Sequence, residues 1–134
     1  MISKKFLTGG HAIFTVSNSK GEHFTYRVSA PDDFNPESPI WFVSVLTGPN
    51  NTSDYTYAGL LRDGGVVHQT KGSKIGPDAL SWKVVVWAIK QVWEEKALPD
   101  GYDIKHIGRC GVCGRPLTTP ESIESGIGPI CAGR

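Results

Sequence analysis

The sequence predicts an α+β fold: an antiparallel β-sheet packed on one long helix, with a small cysteine-bearing module at the C-terminal end. Three observations carry that expectation. Apolar runs cut by turn residues recur through the first 76 positions, as in a series of short strands. Trp82, Val86, Ile89 and Trp93 are then spaced 4, 3 and 4, the stripe of an amphipathic helix. Finally, all three cysteines fall in the last 25 residues, in a stretch too poor in apolar residues to build a core.

Ala12 to Val16 reads as a first strand and Ser17 to Gly21 as a turn. Glu22 to Ser29 alternates, with Phe24, Tyr26 and Val28 on one face, and completes a hairpin with one buried side. Three prolines make 30–39 a loop. Ile40 to Leu46 is almost continuously apolar, the pattern of a central strand. Gly48 to Asn51 turns the chain. In the run from Asp54 to Leu61, Tyr55, Tyr57 and Gly59 share a face, and Val66 to His68 follows the Asp63-Gly64-Gly65 turn. The helix is expected over about 77–97, with Pro77 in its first turn and Val85 and Val92 beside the stripe. Tyr102 to Ile107 is expected to return to the sheet as a strand. These readings divide the chain into a body, 1–105, and a module, 106–134.

The odd cysteine count argues against a closed disulfide framework. The start, Met1 to Gly10, has Lys4 and Lys5 but no apolar stretch behind them, which points to a reducing cytosol. Gly108, Gly111, Gly114 and Pro116 surround Cys110-x2-Cys113 and oppose the helix start that a redox pair favours. Zinc fits better, because it takes four tetrahedral ligands and pairs them through tight turns. Cys110, Cys113 and Cys131 supply three. His106 is the nearest candidate for the fourth; His68, His11, His23, a carboxylate or water are the alternatives. A Zn2+ ion would stabilise a module that lacks a core of its own.

Residues 110–131, from Cys110-Gly-Val-Cys113-Gly-Arg-Pro-Leu-Thr to Gly126-Ile-Gly-Pro-Ile-Cys131, resemble a short module found in phage, prophage and actinobacterial proteins. That module is a domain of unknown function taken to bind zinc. The resemblance implies a zinc site at Cys110, Cys113 and Cys131, and a phage-type protein working in the cytoplasm of a bacterial host. It implies no activity.

Enzymatic motifs are absent from the sequence. No histidine begins His-x-Glu, and Arg109 rather than proline precedes Cys110, so the zinc deaminase signature is missing. There is no His-Glu-x-x-His, phosphate loop or nucleophile elbow. Gly126-Ile127-Gly128 lacks the rest of a dinucleotide fingerprint. The expectation is a non-enzymatic binding protein with no small-molecule substrate and no membrane span. Nucleic acid, or a nucleic-acid-processing complex, is the first partner class. Arg109, Arg115 and Arg134 on the module, Lys71 and Lys74 before the helix, and Arg27 and Tyr55 on strands are the candidate contacts. Residues 1–100 carry ten positive and ten negative charges and 101–134 carry four and three, so binding would rest on a local patch and be sensitive to salt. The second class is a host or phage protein, with the chain acting as inhibitor or modulator, including of bacterial defence nucleases. The loop 30–39 and the many large aromatics motivate it.

Overall fold

A computed structural model of the chain describes residues 2–50, 52–117, 120–128 and 131. Six strands form one antiparallel sheet: β1 (His11–Ser17), β2 (His23–Ser29), β3 (Ile40–Leu46), β4 (Tyr55–Arg62), β5 (Val66–His68) and β6 (Asp103–His106). Their order is β5-β4-β3-β2-β1-β6. The first five form a meander, each pairing antiparallel with the strand before it in sequence. β6 returns to pair with β1, setting His106 opposite Phe14 and Ile104 opposite Val16.

The expectation of one long helix packed on the sheet is overturned. Among the described residues three short helices are defined: α1 (Lys4–Leu7), α2 (Leu80–Trp93) and α3 (Pro120–Ser125). Local geometry shortens α2 at both ends. Ala79 is extended and offers no side-chain cap, so Pro77 lies in the turn before the helix rather than in its first turn. At the other end Glu95 adopts φ 55° and stops the helix. The buried side is also rotated from the expected stripe. It consists of Trp82, Val85, Ala88, Ile89 and Val92, while Val86 and Trp93 are half-buried.

The covered face of the sheet is lined by Ala12, Phe14, Val16, Tyr26, Val28, Trp41, Val43, Val45 and Leu61. The helical layer on it is assembled from pieces. Trp82 lies against Gly59, and the Tyr26 hydroxyl donates to the Ser81 carbonyl at 2.8 Å. α1, capped by the Ser3 hydroxyl, buries Phe6 and Leu7 completely. Lys4 lies over the Trp93 ring at 4.2 Å, and Trp41 donates its indole N–H to Thr8. Burying each large apolar side chain contributes about 1.5–3 kcal/mol, so the small helix α1 is a substantial part of the core.

The register of β4 shifts against β3 between Val43 and Ser44. Ala58 is the extra residue, a bulge. It moves Gly59 to the covered face, away from Tyr55 and Tyr57, with which the alternation grouped it. The expected boundary between body and module falls inside β6. Cys110, Ile127 and Cys131 join the same buried cluster as the body. Among the described residues no helix is long and apolar enough to cross a membrane.

Candidate metal centre and open sheet face

Residues 108–117 fold back on themselves. Cys110 N–H donates to Arg115 O at 2.8 Å, Gly114 N–H to Cys110 O at 2.9 Å, and Leu117 N–H to Gly108 O at 2.8 Å. Gly114 takes φ 77° to close the turn, a conformation glycine adopts without strain. Arg109 crosses the turn, donating a guanidinium N–H to Gly114 O at 3.1 Å. α3 returns the chain, so that Cys131 meets the loop. The sulfurs of Cys110, Cys113 and Cys131 all lie within 4.8 Å of one another, and none forms a disulfide. An ion bound at about 2.3 Å to each sulfur would hold tetrahedral ligands roughly 3.8 Å apart. The three sulfurs are therefore close to that separation.

The surroundings suit thiolates. Val112 and Gly128 donate backbone N–H groups to the Cys110 sulfur at 3.4 and 3.2 Å. Burial raises the Cys110 thiol, but hydrogen bonds from the backbone of Gly128, Cys113 and Val112 and from the Cys113 side chain prevail and bring it to about 7. Cys131 is pushed up to about 11, first by burial and then by the neighbouring sulfurs of Cys113 and Cys110. A cation shared by the three sulfurs would offset the effect that raises Cys131. The donor set therefore fits a soft or borderline metal ion held by Cys110, Cys113 and Cys131.

No histidine or carboxylate among the described residues joins the three sulfurs. His106 stands apart from them, with both ring nitrogens engaged. Nε2–H donates to the Ile123 carbonyl, and Nδ1 accepts the Gly108 amide at 2.9 Å. Its ring lies 5.8 Å from that of Phe6. His106 thus ties the strand end to α3. His11, His23 and His68 stand on β1, β2 and β5.

Residues 103–134 match a family of unknown function, DUF6011. The matched segment begins at the first residue of β6 and carries all three cysteines. No curated protein and no solved structure matches the chain.

The face of the sheet turned away from the helices gathers most of the other candidates. Strand register places Lys105 and Asp103, Ile13 and Thr15, Thr25 and Arg27, Phe42 and Ser44, Tyr55, Tyr57, Leu60 and Arg62, and His68 on it. The Arg27 guanidinium lies over the Tyr55 ring at 4.5 Å. Phe42 and Tyr57 meet edge to face at 6.1 Å, and Phe42 is exposed. Lys71 and Lys74 are exposed on the loop that follows β5. That loop is pinned here, because Lys74 N–H donates to Tyr57 O and the Tyr57 hydroxyl pairs with that of Thr70, both at 3.0 Å. On the β1 side, Gly114 abuts His11, bringing the loop of Arg109 and Arg115 to this face. Arg134 lies outside the described residues.

The sequence reading missed Phe42, Arg62 and Lys105. Phe42 was hidden in an apolar run that read only as a central strand. The one mark of an open side in that run is Ser44, which shares the face of Phe42.

Proposed function

We propose that this protein is a non-enzymatic, zinc-binding accessory protein that binds nucleic acid through the open face of its sheet. The observation that carries the reading is the Arg27–Tyr55 stack. It lies on a face whose strands present Arg27, Arg62 and Lys105 against a single carboxylate, Asp103, itself paired with Lys105 at 3.3 Å. The chain as a whole has a net charge of only +1, so positive charge is concentrated on the face where Phe42 is exposed and Tyr55 and Tyr57 are half-buried. Cations attract the phosphate backbone and rings stack on bases. Zinc is the metal that three clustered thiolates with N–H···S support favour, and its role is to hold the module against the sheet. A phage-encoded setting in a bacterial cytoplasm is part of the proposal and rests on the resemblance of residues 110–131.

Two measurements test this reading. Elemental analysis of purified protein should give one zinc per chain, and none in Cys110→Ser. Fluorescence anisotropy at low salt should show binding to labelled oligonucleotides, weakened in Arg27→Gln and by added salt. No complex with any DNA or RNA at low salt would defeat the binding reading.

One observation favours a second reading, docking on a host or phage enzyme as its inhibitor or modulator. A cavity of about 490 Å³ lies between the β1–β2 hairpin and α2, lined by Phe24, Leu80, Val84, Trp87 and Tyr102 among others. Leu80 and Tyr102 are exposed there. A stoichiometric partner in a tagged pull-down, lost in Leu80→Asp, would support it; retention of that partner by Leu80→Asp would count against it.

A further inference from the structure

We infer that the nucleic acid held on this face is single-stranded, its bases stacking on Phe42 and Tyr57 and its phosphates meeting Arg27, Arg62 and Lys105. The inference rests on the nucleic-acid reading above and narrows it to one substrate class. The decisive geometry is the lateral order of side chains. Ser29, Phe42 and Leu60 form one row across β2, β3 and β4, and Arg27, Ser44 and Tyr57 form the next. Small serines, Ser29 and Ser44, flank the rings in these rows, and Phe42 is exposed. Tyr57 is held at both ends, its hydroxyl by Thr70 and its carbonyl by the Lys74 amide. Its ring is therefore ordered before any ligand arrives. Thr15 and Thr25, whose hydroxyls pair at 2.7 Å, continue the face toward β6.

A duplex hides the faces of its bases and is read by an element that enters a groove. A sheet face offers no such projection, so a duplex could use the cations here but not the rings. A single strand can use both. Its bases unstack onto aromatic side chains while its backbone follows the positive charge. Cations also border the platform on two sides, Lys71 and Lys74 beyond β5 and, on the other side, the loop of Arg109 and Arg115, whose Gly114 abuts His11, in keeping with a strand that crosses the sheet from edge to edge.

The test compares labelled single-stranded RNA, single-stranded DNA of the same sequence, and the corresponding duplex. The zinc-loaded wild type is set beside Phe42→Ala and Phe42→Leu, with circular dichroism to check the fold. Phe42→Leu keeps apolar bulk and serves if Phe42→Ala does not fold. Either single strand should bind at least tenfold more tightly than the duplex. Removing the ring should weaken single-strand binding roughly tenfold, within the range for loss of one base stack, and leave duplex binding nearly unchanged. A difference between RNA and DNA would identify the sugar preferred, and either preference supports the inference. Equal binding of duplex and single strand, or single-strand binding indifferent to both Phe42 variants, would overturn it and leave nucleic-acid binding standing. No binding by any of the three would defeat the broader reading as well.

Discussion

Gly111 packs so closely on Phe6 that a β-carbon placed on it would stand 2.5 Å from Phe6 Cδ2 and 2.7 Å from the Phe6 carbonyl oxygen. The metal loop therefore lies on helix α1 with no room for a side chain between them. The His11 amide also donates to Gly111 O at 2.8 Å. Removing the metal should loosen more than the module. Chelation should lower hydrogen-exchange protection in residues 106–128, in α1 and at the His11 amide, and leave β2 to β4 protected. Loss confined to 106–128 would show that the module is energetically separate from the body.

His106 can be tested as a positioning residue. Its two ring nitrogens join Gly108 to Ile123, so His106→Ala should keep one zinc per chain. It should also reduce stability by about 1–2 kcal/mol, the loss of two partly exposed hydrogen bonds. Metal content by elemental analysis and urea unfolding measure the two effects. Loss of zinc from a folded His106→Ala protein would make His106 a ligand.

What the sequence made legible follows from how local each cause is. The hairpin β1–β2 rests on alternation over seven residues and a turn holding Asn18 and Gly21, both short-range, and the cysteine spacing identified the sulfurs that meet. The helical layer depends on contacts made elsewhere. Val85 and Val92 are buried in preference to Val86 because α2 must fit β-strand residues and α1 together. The bulge at Ala58 reverses the faces of β4 by a single residue, which alternation cannot show. His106 falls at ligand spacing, but a carbonyl and an amide distant or hidden in the sequence, Ile123 and Gly108, engage its ring. The open face of β3 was obscured because an apolar residue destined for a ligand platform looks the same as one destined for a core.

Tyr26 makes stability depend on alkaline pH. Its side chain is buried and donates to the Ser81 carbonyl at 2.8 Å. Burial raises its pKa well above the ordinary tyrosine value of 10.0. The folded pKa exceeds the unfolded one, so the contribution is complete below about pH 10 and is lost as pH rises beyond it. Tyr55 shifts the same way, raised by burial against the opposing charge of Arg27. Urea unfolding between pH 8 and 11 should show stability falling above pH 10. Tyr26→Phe should cost about 1 kcal/mol at pH 8 and flatten that fall. An unchanged alkaline slope in Tyr26→Phe would assign the effect to other groups.

The end of α2 offers a substitution that should stabilise the protein. Lys96 N–H donates to Gln91 O at 3.0 Å and Glu95 N–H to Val92 O at 3.2 Å, the paired bonds of a Schellman termination. The residue at its left-handed position is Glu95, with φ 55°, where a side chain costs about 1–2 kcal/mol and glycine costs little. Glu95 is exposed, so its side chain contributes little packing. Glycine would remove the backbone strain but raise the entropy of the unfolded chain, which offsets part of the gain. Glu95→Gly should therefore stabilise by about 0.5–1 kcal/mol and raise Tm by a few degrees. Glu95→Ala keeps the β-carbon and should leave Tm nearly unchanged. Equal shifts in the two variants would trace the effect to the lost charge rather than to the backbone.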